Sequence, residues 1–108
     1  LEVAVTALTM AELAAGPHAA TDSNERARRQ DRLQRTEAAF DPLPFDAEAA
    51  RAYGRIYAAV LSVGRKARGT RAVDLMIAAI ACSVGLPLYT RNPGDFAALG
   101  DLVEIIAI

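Results

Sequence analysis

Apolar and polar residues alternate with two different periods along the chain, and the first half predicts one strand and two helices. Residues 2–7 form a short β-branched run bounded by polar residues, which predicts a strand. Thr9 stands three residues before Glu12, a capping box that predicts a helix over residues 10–15, ended by Gly16 and Pro17. Residues 22–40 are charged and contain neither glycine nor proline, which predicts a long, largely solvent-exposed helix.

The second half of the chain predicts two further helices. Residues 71–84 are nearly all apolar after their first turn, which predicts a buried helix that ends at Gly85. Residues 64–70 form a basic loop with two glycines before it. Asp46 is a suitable N-cap for the other helix, whose apolar face carries Ala49, Tyr53, Ile56, Val60 and Val63.

Short segments between these helices predict extended structure. Residues 41–45 form a rigid connector that can make a short edge strand. Residues 86–90 and 102–108 are apolar strands, and residues 95–99 between them form about one helical turn. Helices that alternate with short apolar strands predict an α/β layered domain with a mainly parallel sheet.

Composition narrows the class of protein. The chain has 108 residues, 53% of them hydrophobic, which predicts a single domain covering residues 1–108. One cysteine excludes an internal disulfide framework and a Cys-rich zinc site. No run of about 18 apolar residues is present, so we expect no membrane association and a cytoplasmic protein.

Basic residues are concentrated in one segment although the net charge is only −1. Such a net charge argues against a protein that coats nucleic acid by charge alone. The segment holds Arg65, Lys66, Arg68 and Arg71, and guanidinium forks suit phosphate oxygens. Solvated surface charges explain the same cluster about equally well.

Three carboxylates lie at positions from which they could reach the carboxyl edge of a parallel sheet, where ligands bind. Glu12 and Asp95 follow predicted strands, and Asp74 opens the buried helix on its core side. Taken singly, each is explained by the dipole of a first helical turn, which stabilises a carboxylate by about 0.3–1 kcal/mol. Taken together in one crevice, they repel unless a cation neutralises them. Oxygen ligands favour Mg²⁺ or Mn²⁺, and the arginines suit a polyanion, so metal-assisted phosphodiester hydrolysis is the predicted class.

Five motifs follow one another along the whole chain: residues 5–13 (VTALTMAEL), 44–50 (PFDAEAA), 74–79 (DLMIAA), 85–88 (GLPL) and 90–96 (TRNPGDF). In this order they resemble the PIN-domain ribonucleases, and more narrowly the VapC toxins of prokaryotic toxin–antitoxin pairs. The resemblance implies a three-layer α/β fold, with helices on both faces of a mainly parallel sheet. It also implies a metal-dependent endoribonuclease whose acidic residues lie at the carboxyl edge of that sheet.

Carried over by motif, the resemblance assigns roles to individual residues. Asp74 matches the main metal ligand, and Glu12 and Asp95 match acidic residues that orient the attacking water or hold a second Mg²⁺ or Mn²⁺ ion. Thr90 and Asn92 match supporting polar groups near the metal. The loop with Arg65, Lys66, Arg68 and Arg71 is expected to contact the RNA backbone.

The family's first strand, which ends in an aspartate that is the first metal ligand, is absent from this sequence. Because a βαβ unit contains about thirty residues, the missing part corresponds to roughly thirty further residues. That strand is central in the family's sheet, and losing it would cost more than the usual margin of about 5–15 kcal/mol. We therefore expect an N-terminal fragment of the same protein to supply it, and this chain alone to be inactive.

The resemblance implies partners as well. An antitoxin is expected to cover the acidic crevice and to bring an arginine to the carboxylates, with the two N-terminal helices, including residues 22–40, forming part of its groove. A homodimer is expected by family analogy. Two alternatives remain open: a non-catalytic module that binds a partner or RNA, and a purely structural domain whose carboxylates cap helices.

Overall fold

The computed structural model describes residues 4–65 and 70–108. The chain divides into two compact units, Leu1–Pro44 and Phe45–Ile108. The single domain expected over residues 1–108 stays a prediction. Lys66 and Arg68, in the basic loop, lie outside the described residues.

The first helix begins earlier than the sequence predicts. Helix α1 spans Ala7–Ala19, and its N-cap is Thr6, whose hydroxyl accepts a hydrogen bond from the Thr9 N–H at 3.1 Å. The capping box predicted at Thr9 is therefore wrong, because Thr6 has the extended backbone of a cap and Thr9 already lies inside the helix. The predicted strand is wrong over residues 4–7, where Thr6 alone forms a parallel bridge, to Leu43. That bridge is also the whole of the edge strand expected at residues 41–45.

Helix α1 also ends later than predicted, because it continues through Gly16 and Pro17 to Ala19. Proline removes one intrahelical donor, which ordinarily ends a helix. The second helix contributes at the C-terminal end instead: the guanidinium of Arg29 donates to the Gly16 carbonyl at 2.9 Å, and that of Arg26 donates to the Pro17 carbonyl at 3.3 Å. Two of the free carbonyls of the last turn thus have partners.

Helix α2 spans Ser23–Ala39 and confirms the predicted exposed helix. Asp22 caps it by accepting from the Glu25 N–H at 2.8 Å, and none of its residues is buried. Ion pairs one turn apart, such as Asp31–Arg35 at 2.9 Å, run along its surface.

The second unit holds the hydrophobic core. Helix α3 spans Ala47–Ser62, with Asp46 as the predicted N-cap, and helix α4 spans Thr70–Val84. Val63 does not belong to the apolar face as predicted: it follows the helix as its C-cap and is 56% exposed. The buried core residues are Ala52, Ile56, Val60, Leu75, Ala78, Ala79, Ala81, Phe96, Leu99 and Val103.

Two short strands pair in parallel beside this core. Strand β1 spans Leu88–Thr90, strand β2 spans Ile105–Ala107, and a 3₁₀ segment spans Pro93–Leu99 between them. Leu88 pairs with Ile105, Tyr89 with Ile106 and Thr90 with Ala107.

Both strands are shorter than predicted because helix ends use the flanking amides. The Leu86 N–H donates to the Ala81 carbonyl at 3.0 Å, closing α4 around Gly85, whose φ is +70°. The Leu102 and Val103 N–H groups both donate to the Leu99 carbonyl at 2.9 Å. None of these amides is left for the ladder. Within residues 4–65 and 70–108, no helix is both long and apolar enough to cross a bilayer.

Candidate active site

Asp74 lies on the inner side of α4, one turn after its start. It is half-buried, and Ala78 and Ala81, four and seven residues further on, are buried. This confirms that the aspartate faces the core side of the helix. It is the fifth residue of α4, and no acidic residue lies in the first helical turn. The dipole of a first turn therefore does not account for Asp74, since that effect falls off within one turn.

Asp95 is presented by the turn that follows β1. The Thr90 hydroxyl accepts a hydrogen bond from the Asn92 N–H at 3.0 Å, and the Asn92 carbonyl accepts one from the Asp95 N–H at 3.0 Å. Asp95 itself is exposed, whereas the next residue, Phe96, is buried in the core. Thr90 and Asn92 thus shape the turn that leads to the carboxylate, and Phe96 anchors it. Asp95 does lie in the first turn of its 3₁₀ segment.

Two arginines meet the Asp95 segment from the ends of two helices. Arg71, in the first turn of α4, donates to the Asp95 carbonyl, and its guanidinium carbon lies 5.6 Å from the centre of the Phe96 ring. Arg65, just beyond α3, donates to the Gly94 carbonyl at 3.2 Å and approaches the Asp95 carbonyl at 3.5 Å. These contacts place α4 and the Asp95 segment side by side.

Arg71 links the segments that carry Asp74 and Asp95. Arg71 and Asp74 are three residues apart on α4, so they share one face of the helix. Because Arg71 contacts the backbone of Asp95, the turn that carries Asp74 lies next to the segment that carries Asp95. The sequence predicted that these carboxylates converge, but it did not predict that an arginine joins their supports. The spacing of three residues from Arg71 to Asp74 was the available signal.

Glu12 lies in the first unit, exposed on α1. It is the sixth residue of that helix, and no acidic residue occupies the first turn. The prediction that placed Glu12 in a first helical turn is therefore wrong, because the helix begins at Ala7 rather than after Thr9. The dipole explanation fails for Glu12 as it does for Asp74.

The donor chemistry of Asp74 and Asp95 fits a hard divalent cation. Mg²⁺ is commonly held by one or two carboxylates, with water and substrate phosphate as its other ligands. In the part of the chain that the structure describes, no three His, Cys, Asp or Glu side chains form a group that could hold a metal. An ion held by these two aspartates would therefore keep most of its coordination for water and phosphate.

The described ion pairs leave both aspartates out. They join Glu25 to Arg28 and Arg29, Asp31 to Arg35, and Glu48 to Arg51. Within residues 4–65 and 70–108, neither Asp74 nor Asp95 is paired with a basic side chain. Arg71 meets the Asp95 backbone and not its carboxylate, so the negative charge there is not neutralised by that contact.

A shallow depression elsewhere in the second unit does not suit a polyanion. It has a volume of about 470 Å³ and includes none of the predicted site residues. Its walls contain two carboxylates of the same sign as a phosphate, Asp101 and Glu104. The Asp74–Asp95 region therefore remains the candidate site.

Known proteins resemble this chain over nearly its whole length. The PIN domain profile matches residues 1–102. Ribonuclease VapC5 from Mycobacterium tuberculosis is 41% identical in an alignment 108 positions long, which covers 98% of this chain and 76% of that protein.

Solved structures show the same likeness. VapBC-5, a member of the VapBC family of toxin–antitoxin systems from M. tuberculosis, superposes with a TM-score of 0.86 at 41% identity, covering 98% of this chain and 82% of that one. FitAcB from Neisseria gonorrhoeae gives 0.80 at 29% identity, covering 96% and 73%. VapBC2 from Rickettsia felis, bound to a DNA fragment from its promoter, gives 0.74 at 21% identity over 97% and 74%, a likeness of fold alone. The predicted PIN-like α/β fold with parallel strands is confirmed.

Proposed function

The chain belongs to the PIN-domain family, in its VapC branch, and from this premise we propose that it is a metal-dependent endoribonuclease that acts as the toxin of a toxin–antitoxin pair. Two findings support this proposal: the resemblance to Ribonuclease VapC5 over 98% of the chain, and the position of Asp74. A half-buried carboxylate outside the first helical turn, without a basic partner among the described side chains, has no structural task in α4. This environment of Asp74 is the structural observation on which the proposal rests.

The proposed reaction is hydrolysis of an RNA phosphodiester bond. Asp74 and Asp95 are the proposed ligands of Mg²⁺ or Mn²⁺, which when bound lowers the pKa of a coordinated water and offsets phosphate charge. Asp95 and Glu12 are proposed to orient the attacking water through their carboxylate oxygens. Thr90 and Asn92 hold the turn that presents Asp95.

The basic segment is proposed to contact the RNA backbone. Arg65, Lys66, Arg68 and Arg71 were all predicted to do so, yet Arg65 and Arg71 already donate to backbone carbonyls. We therefore assign phosphate contact mainly to Lys66 and Arg68, with the remaining donors of Arg65 and Arg71. Such contacts weaken as salt rises, because bound counterions are released.

The proposed partners follow from the family. An antitoxin is proposed as the protein partner, because the similar VapBC-5 is a member of a family of toxin–antitoxin systems. We propose that it covers the acidic crevice and brings an arginine to its carboxylates. We also propose that the two units act as one domain and that the toxin is a homodimer in the cytoplasm.

The decisive experiment is RNA cleavage with Mn²⁺ by wild type and Asp74→Asn. Cleavage should fall at least about 100-fold in the variant, since even outer partners of metal ligands cost 10–100-fold. Asp101→Asn, which removes another exposed carboxylate of the same unit, should cleave like wild type. If the protein binds RNA without cutting it, it is a binding module; if Asp74→Asn cuts normally, the nuclease proposal is wrong.

A further inference from the structure

The loop between α3 and α4 is flanked by two arginines that converge on the same short segment. Arg65 follows α3 and donates to the Gly94 and Asp95 carbonyls, and Arg71, in the first turn of α4, donates to the Asp95 carbonyl. Arginine side chains that contacted only RNA phosphates would extend into solvent. These two are instead directed at the backbone that carries a proposed metal ligand.

Local structure fixes where Arg65 starts. At the end of α3 the Gly64 N–H donates to the Leu61 carbonyl at 2.9 Å, and the Arg65 N–H donates to the Val60 carbonyl at 3.1 Å. Gly64 has φ +75°, so the helix ends in a Schellman motif. The backbone of Arg65 is therefore held close to its own helix.

Arg71 is held more firmly than Arg65. It is half-buried, whereas Arg65 is exposed. Its guanidinium combines the donation to the Asp95 carbonyl with a position over the Phe96 ring, 5.6 Å from the ring centre. Phe96 is itself buried in the core against α4, so the arginine is fixed to a rigid neighbour.

From this geometry, and resting on the proposed nuclease function, we propose that Arg71 is a positioning residue that holds the Asp95 segment against the turn of α4 carrying Asp74. It acts by keeping two carboxylates at the separation that one divalent cation requires. Arg71 supplies the planar fork and the flat face that this double contact needs, and lysine offers neither. The contact with RNA first expected of Arg71 becomes the competing explanation.

The test uses the full-length protein and Arg71→Met, Arg71→Lys and Arg51→Met. Arg51 is the matched control, an exposed arginine of the same unit that pairs with Glu48 on α3. Affinity for Mn²⁺ alone is measured by electron paramagnetic resonance, and RNA cleavage is measured as kcat and KM at several salt concentrations. Thermal unfolding verifies that each variant is folded.

Positioning predicts that Arg71→Met weakens Mn²⁺ affinity and lowers kcat by about 10–100-fold, as loss of an outer partner of a metal ligand does. KM for RNA should change less than about twofold, and Arg71→Lys should not restore Mn²⁺ affinity, since it keeps only the charge. Arg51→Met should match wild type in every measurement.

Three results separate the explanations. If Arg71→Met raises KM and lowers the salt dependence by about one phosphate contact while Mn²⁺ affinity is unchanged, Arg71 binds RNA and the inference is overturned. If it lowers only the unfolding temperature, Arg71 is merely structural and the inference is overturned as well. If Asp74→Asn and Asp95→Asn leave Mn²⁺ affinity and cleavage unchanged, the proposed function itself fails.

Discussion

Three carboxylates were selected by residue type and spacing, and the structure changes the reason for selecting two of them. Glu12 and Asp74 could both have been explained by a first helical turn, but each lies in the second turn of its helix. The dipole effect is confined to the first turn, so that explanation is removed. Sequence could identify these residues because carboxylates are scarce in apolar helices. It could not fix the turn that holds Glu12, because the start of α1 depends on whether Thr6 or Thr9 is the cap.

The turn before Asp95 depends on one hydroxyl. Thr90→Val keeps the shape of the side chain but removes the acceptor for the Asn92 N–H. We expect the free energy of unfolding to fall by about 0.5–1.5 kcal/mol, the usual net worth of such a hydrogen bond. Denaturant unfolding measures it, and Thr90→Ser, which keeps the oxygen, should lose less. Equal losses in both variants would show that the methyl group, and not the hydroxyl, matters.

Ionisation of Glu25, in the first turn of α2, makes the free energy of unfolding depend on pH. Its hydrogen bonds to Arg28 and Arg29 hold the pKa of the Glu25 carboxyl below its ordinary value. Because the folded pKa is lowered, the stabilisation is present above the ordinary pKa of about 4.3 and is lost as the pH falls through the lowered value. Glu25→Gln should therefore be less stable than wild type at pH 7 and equally stable in strong acid. Unfolding curves across this range test it; a difference that persists in acid contradicts it.

At the scale of elements, helix existence was predictable and helix ends were less so. The cap at Asp46 was predicted from sequence, because an aspartate just before a helical pattern favours the N-cap position, whereas the cap at Asp22 was predicted only as part of the helix. The continuation of α1 through Pro17 was not, because it depends on Arg26 and Arg29 from another helix. Long-range contacts of that kind leave no local pattern.

Two glycines of the α3 region should respond to alanine in opposite directions. Gly64 has φ +75°, where a side chain is strained, so Gly64→Ala should lower the free energy of unfolding by about 1–2 kcal/mol. Gly54 lies inside α3, and a Cβ added there meets nothing within 4 Å. Gly54→Ala should therefore raise stability by up to about 1 kcal/mol. Chemical denaturation of both variants checks the pair; destabilisation by both would refute the assignment.

At the scale of the whole molecule, the α/β class followed from alternating helices and apolar segments, and the parallel pairing of β1 with β2 agrees. The lengths of the strands did not follow. Amides at residues 86, 102 and 103 have partners in neighbouring turns, and the sequence shows only that these positions are apolar. Hydrophobic patterning thus determined the class, while hydrogen-bond competition determined the sheet's extent.

The core of the second unit should be the most sensitive part of that unit. Leu75 is fully buried among residues of α3, α4 and the 3₁₀ segment. Leu75→Ala should cost about 2–5 kcal/mol through lost burial and a cavity. Val84→Ala, at the 48% exposed end of the same helix, should change stability by less than about 0.5 kcal/mol. Thermal and denaturant unfolding of both variants measures the contrast, and similar losses would place the core elsewhere.

Arg65 and Arg71 both fasten the segment at positions 94 and 95 through peptide oxygens. Every amino acid has that oxygen, so these hydrogen bonds do not depend on which side chain is present at position 95. A residue with an amide or with a shorter side chain can replace Asp95 while the 3₁₀ segment keeps its position. A substitution at position 95 therefore changes the reacting side chain and leaves the position of the backbone unchanged.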